Sequence, residues 1–431
     1  MAYKSLSKRK IGMKKYFVVL LSILLLLSGC GTGVRKETEP DVLTEASQSD
    51  VISAVPETQT EPEPEPIVRH LMAAGDVMSH MPMVEDAYVA ETDSYDYTHM
   101  MAEPAEQLRL ADYAIANLET VLGGGPDYSG YPNFNSPDAL AHACKDAGFD
   151  LLSTANNHTR DQGMDAIFRT LDVLDEIGLA HVGTYRSAAE RDANNGIYVA
   201  DIGGISVAFL CYTYGLNGYR LPDDMTYAVN LFNIDYDTNL IDFDYDRVDR
   251  DLAAARALDA DLTAVIIHWG VEYDETPTAY QREIAEHLFQ NGVDLIFGGH
   301  PHVLQPYETV TFTDDQGVEK QGFVIYSFGN FISNQQYDPE TKTTVILDLE
   351  LTKDPVSGTT AVTDVCYMPY YMLHRNDLPV GSRRQLVNIH KSIEAYENGT
   401  TELVTYDLYQ RMQAALTYCH EILGPEGDRA E

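Results

Sequence analysis

Short apolar runs alternate with amphipathic stretches along the chain from about residue 67 onward. The runs have the length and apolar content of buried strands. They cover residues 68–74, 113–116, 151–155, 205–211, 262–267, 295–297 and 323–326. Helical spacing of apolar residues marks 138–147, 164–177, 248–258 and 279–290. This alternation predicts an α/β fold in which helices cover both faces of a sheet.

The remaining segments have weaker patterns. Residues 343–351 alternate like an antiparallel strand, whereas 382–396 and 407–422 have helical patterns. Residues 219–247 are rich in Tyr, Asp and Asn. This segment predicts a loop that either covers the strand ends, where aromatic side chains contact substrate, or packs on itself as a surface insertion.

Polar residues follow six of the predicted strands, at the point where each apolar run ends. They are Asp76; Asn117 and Glu119; Asn156, Asn157, His158 and Asp161; His268 and Glu272; His300 and His302; and Ser327 and Asn330. Binding sites of open α/β sheets form outside the carboxyl ends of the strands. Carboxylate, amide and imidazole ligands together suit Mn, Zn or Fe. The pattern therefore predicts a divalent-metal site at these strand ends, and the other histidines, His80 among them, are interpreted as structural or surface residues.

The N-terminus has the features of an export signal. Basic residues crowd positions 4–15, an apolar run follows over 16–27, and small residues lead to Cys30. Leu27-Ser28-Gly29-Cys30 resembles a bacterial lipobox, which implies cleavage before Cys30 and lipidation of its sulfur and new amino end. An uncleaved signal anchor is the alternative. Both interpretations predict an extracytoplasmic protein attached to the bacterial cell membrane.

The composition divides the chain into four segments. Residues 31–66 are rich in Glu, Thr, Ser and Pro and end in an alternating Glu-Pro run, which predicts an extended tether. We therefore expect a lipoprotein signal peptide over 1–29, an acylated Cys and acidic tether over 30–66, a globular domain over 67–351 that carries the strand-end motifs of the family named below, and a helical extension packed on the core over 352–431.

Charge and cysteine content exclude two classes of function. The formal net charge of −38 argues against nucleic acid as a partner, because phosphates are bound through Lys and Arg. The five cysteines form no CxxC pair, which argues against a zinc-finger type of site. Cys144, Cys211, Cys366 and Cys419 are expected to be buried thiols, with a disulfide as the alternative in an exported protein.

Taken in order, the strand-end motifs resemble the CapA family, the poly-γ-glutamate capsule synthesis proteins. The motifs are Gly-Asp, Asn-Leu-Glu, Ala-Asn-Asn-His, His-Trp-Gly-x-Glu-Tyr, Gly-His-Pro-His-Val and Tyr-Ser-x-Gly-Asn-Phe, spread over residues 68–335. The family is similar to the calcineurin-like metallophosphoesterases, so the resemblance implies a β-sandwich flanked by helices.

The resemblance also implies roles for individual residues. Asp76, Glu119, Asn157, His268, His300 and His302 match metal ligands, and His158 matches the histidine that assists the leaving group. Glu272 and Asp161 are further catalytic candidates, and Asn117, Asn156, Ser327 and Asn330 are candidates for substrate binding. Met78 stands where the pattern has a histidine, and Glu119 stands where it has a bridging aspartate. These two departures leave two possibilities open: a single ion, or a pair of ions to which Glu272 or Asp161 contributes.

Three functions fit this site. The first is a metal-dependent hydrolase or transferase that acts in the synthesis, export or attachment of an anionic capsular polymer such as poly-γ-glutamate. The second is a non-catalytic module that binds the polymer or a partner in a synthesis or export complex. The third is an exported phosphatase or phosphodiesterase. The lipid anchor makes the membrane a partner in all three.

Overall fold

The computed structural model describes residues 64–313 and 317–429. The predicted signal peptide, Cys30 and nearly all of the tether lie outside the described residues. Within the described ranges, none of the helices combines the length and the apolar character needed to cross a bilayer.

Strands and helices alternate through the first two thirds of the described chain. The strands are β1 Ile67–Val77, β2 Tyr88–Val89, β3 Ser94–Tyr95, β4 Tyr113–Leu118, β5 Leu151–Ser153, β6 Ala180–Val182, β7 Tyr198–Ile202, β8 Ile205–Thr213, β9 Leu262–His268, β10 Leu295–Gly299, β11 Leu304–Thr313, β12 Glu319–Phe328, β13 Asn330–Ile332, β14 Thr343–Lys353, β15 Thr360–His374 and β16 Arg384–Asn388. The α-helices are α1 Met81–Ala87, α2 Ala102–Leu108, α3 Ala139–Ala147, α4 Met164–Ile177, α5 Ala188–Ala193, α6 Tyr245–Arg256, α7 Ala279–Gln290, α8 Ile389–Glu397 and α9 Tyr406–Leu423. All seven predicted apolar strands and all four predicted helices of this region are confirmed, with shifts at their ends.

Two mixed sheets, rather than one, carry all of these strands except β2 and β3, which pair with each other. The larger has the order β16-β15-β14-β1-β4-β5-β6, with β13 also paired to β1, and the smaller has the order β11-β12-β10-β9-β8-β7. In the larger sheet β1, β4, β5 and β6 run parallel, and in the smaller β12, β10, β9 and β8 do. The predicted α/β class is confirmed. The apolar pattern alone does not distinguish two sheets from one, because strands that are buried on both faces look the same in either arrangement. The β-sandwich implied by the family resemblance agrees with the two sheets.

One hydrophobic cluster joins the two sheets. Leu71 and Ile115 from the larger sheet share it with Phe209 and Phe297 from the smaller one. Separate clusters lie on the opposite faces: Leu174 of α4 packs on the larger sheet, and helices α6 and α7 pack on the smaller. The parallel strands of both sheets therefore end close to the same edge of this shared core.

The C-terminal segment differs from the helical extension that we expected over 352–431. It supplies β15 and β16 to the larger sheet before α8 and α9 follow. The helix predicted over 382–396 is wrong in its first half, where Arg384–Asn388 pairs with β15. Asn388 ends this strand and caps α8, since its side chain accepts a hydrogen bond from the backbone N–H of Lys391. The helix predicted over 407–422 is confirmed as α9.

The cysteines of the described residues are buried free thiols, as predicted. They are Cys144, Cys211, Cys366 and Cys419. Their function is packing, since burial raises the pKa of Cys144 and of Cys211 to about 12 and keeps them protonated.

Candidate metal centre

The structure brings the six predicted metal ligands together, three from each sheet. Asp76 lies in β1, Glu119 follows β4 and Asn157 follows β5 in the larger sheet; His268 ends β9, and His300 and His302 follow β10 in the smaller sheet. All six side chains are buried. Segments more than 200 residues apart in the chain thus meet where their parallel strands end.

Carboxylates and imidazoles form overlapping groups within this cluster. Glu119, His268 and His300 can each turn a ligand atom towards a common point, and so can Asp76, Glu119 and His302. A third group joins the exposed Glu272 to His300 and His302. Glu119 belongs to two of these groups, which is the arrangement required of a residue that bridges two ions.

Glu119 is the residue of the site that most needs a cation. Its side chain is fully buried, and neither carboxylate oxygen has a hydrogen-bond partner among the residues that the structure describes. Oε1 lies 3.3 Å from Nε2 of His268 and 3.9 Å from Nε2 of His302. A buried carboxylate without partners is unfavourable unless a cation or a proton neutralises it. The longer side chain of Glu at the place of the bridging Asp is therefore compatible with metal binding.

Asn157 and His268 complete one side of the cluster. The amide oxygen Oδ1 of Asn157 lies 2.8 Å from Nε2 of His268. Ligands bound at about 2.1 Å to one ion are separated by roughly 3.0–3.4 Å, and the 2.8 Å and 3.3 Å separations around His268 are near this range. Asn157, His268 and Glu119 would hold one ion.

Asp76 is held in place for the other side. Its Oδ1 accepts a hydrogen bond of 2.8 Å from Nδ2 of Asn117, and its Oδ2 accepts one of 3.2 Å from the backbone N–H of His300. Oδ2 also lies 3.5 Å from Nδ1 of His302, which has no hydrogen-bond partner of its own. A second ion would be held by Asp76, Glu119 and His302, but Met78, which is buried at the place of the missing histidine, offers only a thioether.

The turn that carries the paired histidines is strained. His300 has φ +96° and His302 has φ +60°, in a region that residues other than glycine rarely adopt. Gly299 precedes them, and a Cβ there would lie 2.8 Å from Oδ1 of Asp76. Strain of this kind is retained where the surrounding structure enforces it, and it is concentrated at functional sites.

Burial and neighbouring charges shift the pKa values of the site in different directions. Burial, together with the charge of Asp76, raises the pKa of Glu119 well above its usual range. Burial lowers the pKa of His268 to about 4 and also lowers that of His300 well below its usual value. Burial opposes the charged form of His302 too, but Glu119 and Asp76 outweigh it and raise its pKa. His268 and His300 are therefore neutral at pH 7 and can act as metal ligands.

The sequence of residues 70–335 matches the family described as "Bacterial capsule synthesis protein PGA_cap", and this region is more than half of the chain. The chain belongs to this family. Over 303 residues it is 27% identical to "Capsule biosynthesis protein CapA" of Bacillus anthracis, and this alignment covers 69% of this chain and 67% of that protein. Over 284 residues it is 26% identical to "PGA biosynthesis protein CapA" of Bacillus subtilis (strain 168), which covers 62% and 64%. The alignments thus span about two thirds of these curated relatives.

Solved structures with similar chains include phosphoesterases. A phosphatase from Mycoplasma pneumoniae aligns over 71% of this chain and 95% of its own, at 14% identity and a TM-score of 0.40. The calcineurin-like phosphoesterase YfkN from Bacillus subtilis aligns over 82% and 99%, at 14% identity and a TM-score of 0.34. TM-scores below 0.5 do not establish a shared function, and membership of the PGA_cap family rests on the sequence.

The predicted catalytic residues of this PGA_cap protein lie at the border of the centre. Nδ1 of His158 lies 2.7 Å from Oδ2 of Asp161, which also accepts a hydrogen bond from the backbone N–H of Phe134. The ring of Phe134 packs edge-on against His158. This pair has the geometry of a histidine oriented by a carboxylate. Glu272 is exposed, in contrast to the buried ligands.

The four predicted substrate-binding residues are all buried and hold the loops of the site. Asn117 contacts Asp76, and Asn156 donates to the carbonyl of Leu118 at 2.8 Å. The hydroxyl of Ser327 donates to the carbonyl of Val303 at 2.7 Å. Asn330 donates to the carbonyl of His302 at 3.3 Å. Their geometry explains how the turns are kept in place, and their contact with substrate stays a prediction.

Three residues near the site were not singled out from the sequence. Tyr214 packs against the rings of His268 and His300, with ring centroids 6.3 Å and 4.6 Å away. Asn217 accepts a hydrogen bond of 3.1 Å from Nδ2 of Asn157. His80 lies beside the site, where burial and the charges of His302 and His158 lower its pKa to about 4. Its position four residues after Asp76 is the one sequence signal that could have identified it, whereas it was interpreted as a structural or surface residue. The loop that contacts the strand ends is 214–219, which overlaps the predicted segment 219–247 only at Tyr219.

Proposed function

We propose that the protein is lipid-anchored at Cys30 outside the cytoplasm and acts in the synthesis, export or attachment of an anionic capsular polymer, through a divalent ion at the strand-end site. Membership of the PGA_cap family and the names of the two CapA relatives support the capsular role. The aligned regions cover only about two thirds of those relatives. The identity of the polymer as poly-γ-glutamate is therefore itself part of the proposal.

The observation that carries the metal-dependent part is Glu119. Among the described residues, both of its oxygens are buried without a hydrogen-bond partner, next to three imidazoles and the carboxylate of Asp76. A divalent cation bound there would polarise a carbonyl or activate water. The ion, whether Mn, Zn or Fe, would also let an acidic protein hold an acidic polymer, because it offsets the repulsion between their charges.

His158 is the proposed proton-transfer group. Its ring is fixed between Phe134 and Asp161, and Asp161 favours the tautomer whose Nδ1 carries the proton. Nε2 is then the atom that exchanges a proton with the reacting group. Glu272 at the exposed side is the second candidate for this role.

Elemental analysis of the purified full chain tests the proposal. We expect about one to two equivalents of a transition metal, and loss of that metal when His300 and His302 are both changed to Ala. In the cell, the double variant should fail to support formation of the polymer. Wild-type protein without metal, together with a double variant that supports normal capsule formation, would disprove the metal-dependent function.

A non-catalytic polymer-binding module is the second candidate, and buried Met78 favours it because a ligand of the metallophosphoesterase pattern is missing there. The two candidates differ in the effect of changing His158 to Asn. A catalytic site would lose polymer formation with metal content unchanged. A binding module would keep polymer formation in this variant and lose it only when the domain is deleted.

Anchoring can be tested separately through Cys30. The Cys30→Ala variant should leave the membrane fraction and lose incorporation of labelled fatty acid. Continued fatty-acid labelling of the variant would show that another residue carries the lipid.

A further inference from the structure

Arg160 differs from the other arginines of the described residues. Within 64–313 and 317–429, its guanidinium forms no ion pair and no hydrogen bond, and its Nε is buried without a partner. Each of the other arginines in these ranges contacts a carboxylate, a carbonyl or a side-chain amide. In a chain with 67 acidic and 29 basic residues, an arginine without a partner is unexpected.

The guanidinium of Arg160 is nevertheless held in position. It lies over the ring of Tyr219, with Cζ 5.5 Å from the ring centroid, a favourable contact between a cation and an aromatic face. The hydroxyl of Tyr219 donates to Oδ1 of Asn133 at 3.1 Å. The carbonyl of Asn133 in turn accepts a hydrogen bond from Ser129. We call Tyr219 and Asn133 the platform. It fixes the plane of the guanidinium and leaves the donors along its edge unused.

The platform borders the metal centre at His158. Arg160 follows His158 by two residues in the same turn, and Asn133 immediately precedes Phe134, whose ring lies 4.7 Å from that of His158. On the third side, Tyr219 follows Asn217 by two residues, and Asn217 is bonded to Asn157. Three loops thus converge around Arg160, which is two residues from the proposed proton-transfer group in the chain.

We propose that Arg160, supported by Tyr219, is a carboxylate-binding subsite that takes a free carboxylate of a γ-linked glutamate chain beside the metal centre. The fork of N–H donors in a guanidinium matches the two oxygens of a carboxylate, and such charge-assisted pairs are strong and directional. The inference rests on the proposed function for the identity of the polymer. It adds the residue that would set the position of the chain relative to His158.

Binding of a short γ-linked glutamate oligomer to the full chain loaded with Mn²⁺ tests this subsite. In calorimetric titrations, Arg160→Gln should weaken binding by about tenfold or more, and Arg160→Lys should lie between Gln and wild type. The same oligomer with methylated carboxylates should bind weakly to wild type and be insensitive to Arg160→Gln. Metal content should stay unchanged, and the melting temperature of Arg160→Gln should fall only slightly, by the loss of the contact with Tyr219. A purely structural role would instead lower the melting temperature and leave the affinity for the oligomer unchanged.

Arg282→Gln is the matched control. Arg282 also lies over a tyrosine ring, that of Tyr326 at 5.1 Å, but it is paired with Glu308. This variant should bind the oligomer like wild type. Equal affinity of wild type and Arg160→Gln would overturn the subsite and leave the proposed function intact. No binding of the oligomer to wild type would overturn both, and equal affinity for a polyphosphate of the same length would contradict the carboxylate assignment.

Discussion

The amide oxygen of Asn157 lies 2.8 Å from Nε2 of His268, and this contact connects the two sheets at the metal centre. Asn157 follows a strand of the larger sheet, whereas His268 ends a strand of the smaller one. The amide must face His268 with its oxygen for both residues to bind one ion. Nδ2 of Asn157 donates to Asn217 at 3.1 Å, and this second contact fixes the orientation of the amide.

Asn217→Gly should therefore lower metal affinity about 10- to 100-fold. Glycine accepts the φ of +50° at this position, so the variant removes the side chain without adding backbone strain. Titration of the metal-free protein with Mn²⁺ measures the change. Asn217→Asp, which keeps an acceptor oxygen, should bind more tightly than the glycine variant. Unchanged affinity in Asn217→Gly would show that Asn157 is oriented by other contacts.

Glu119→Gln should lose metal binding without destabilising the metal-free protein. The amide has nearly the same shape as the carboxylate but carries no charge to attract a cation. Because the carboxylate is buried without partners, replacing it should leave the melting temperature of the metal-free protein unchanged or raise it. Elemental analysis and thermal unfolding give the two readouts. A clear decrease in the metal-free melting temperature would mean that Glu119 has a structural role.

Gly299→Ala and Gly298→Ala should have different effects, although they are neighbours. A Cβ at Gly299 would lie 2.8 Å from Oδ1 of Asp76, so we expect a displaced carboxylate and weaker metal binding. A Cβ at Gly298 would lie 2.1 Å from the carbonyl oxygen of Tyr326 in the adjacent strand. That variant should lose about 1–3 kcal/mol of unfolding free energy. Urea unfolding of both metal-free variants measures stability, and titration with metal measures affinity. An equal loss of unfolding free energy in the two variants would contradict the prediction.

His374 should make the fold less stable as the pH falls below about 6.5. Burial lowers the pKa of His374 in the folded state to about 3, whereas the unfolded value is 6.5. Between these values the unfolded chain binds a proton that the folded protein does not. The contribution of His374 to the free energy of unfolding is therefore complete above pH 6.5 and decreases by about 1.4 kcal/mol per pH unit below it.

His374→Gln removes this contribution. The glutamine can still donate to the carbonyl of Ser333, as Nε2 of His374 does at 3.2 Å. Urea unfolding of wild type and variant at pH 7 and pH 5 should show a smaller pH effect in the variant. The same pH dependence in both proteins would show that His374 is protonated in the folded state.

The local part of the fold and the position of the candidate ligands at the strand ends could be predicted from the sequence because each depends on neighbouring residues. A buried strand such as β9 is a continuous apolar run, and the polar residue that follows it, His268, lies at the strand end. These signals need no knowledge of distant segments.

The remaining features depend on contacts between distant segments. Asn217 reaches Asn157 across 60 residues, and nothing in the local pattern distinguishes it from other loop asparagines. The helical pattern over 382–396 was overridden in its first half because Leu386 and Val387 are buried when Arg384–Asn388 pairs with β15. Arg160 could not be distinguished either, since its lack of a partner appears only when the contacts of every arginine are known.

The division of the ligands between the two sheets has a mechanical consequence. Asp76, Glu119 and Asn157 belong to one sheet, and the three histidines belong to the other, so an ion held by both sets acts as a cross-link between the halves of the sandwich. Removing it would leave the buried Glu119 with only a proton to neutralise it. A chelator should thus act on this protein as a denaturant as well as an inhibitor. When metal is scarce, the protein would loosen and become open to proteolysis rather than persist as an intact, inactive molecule.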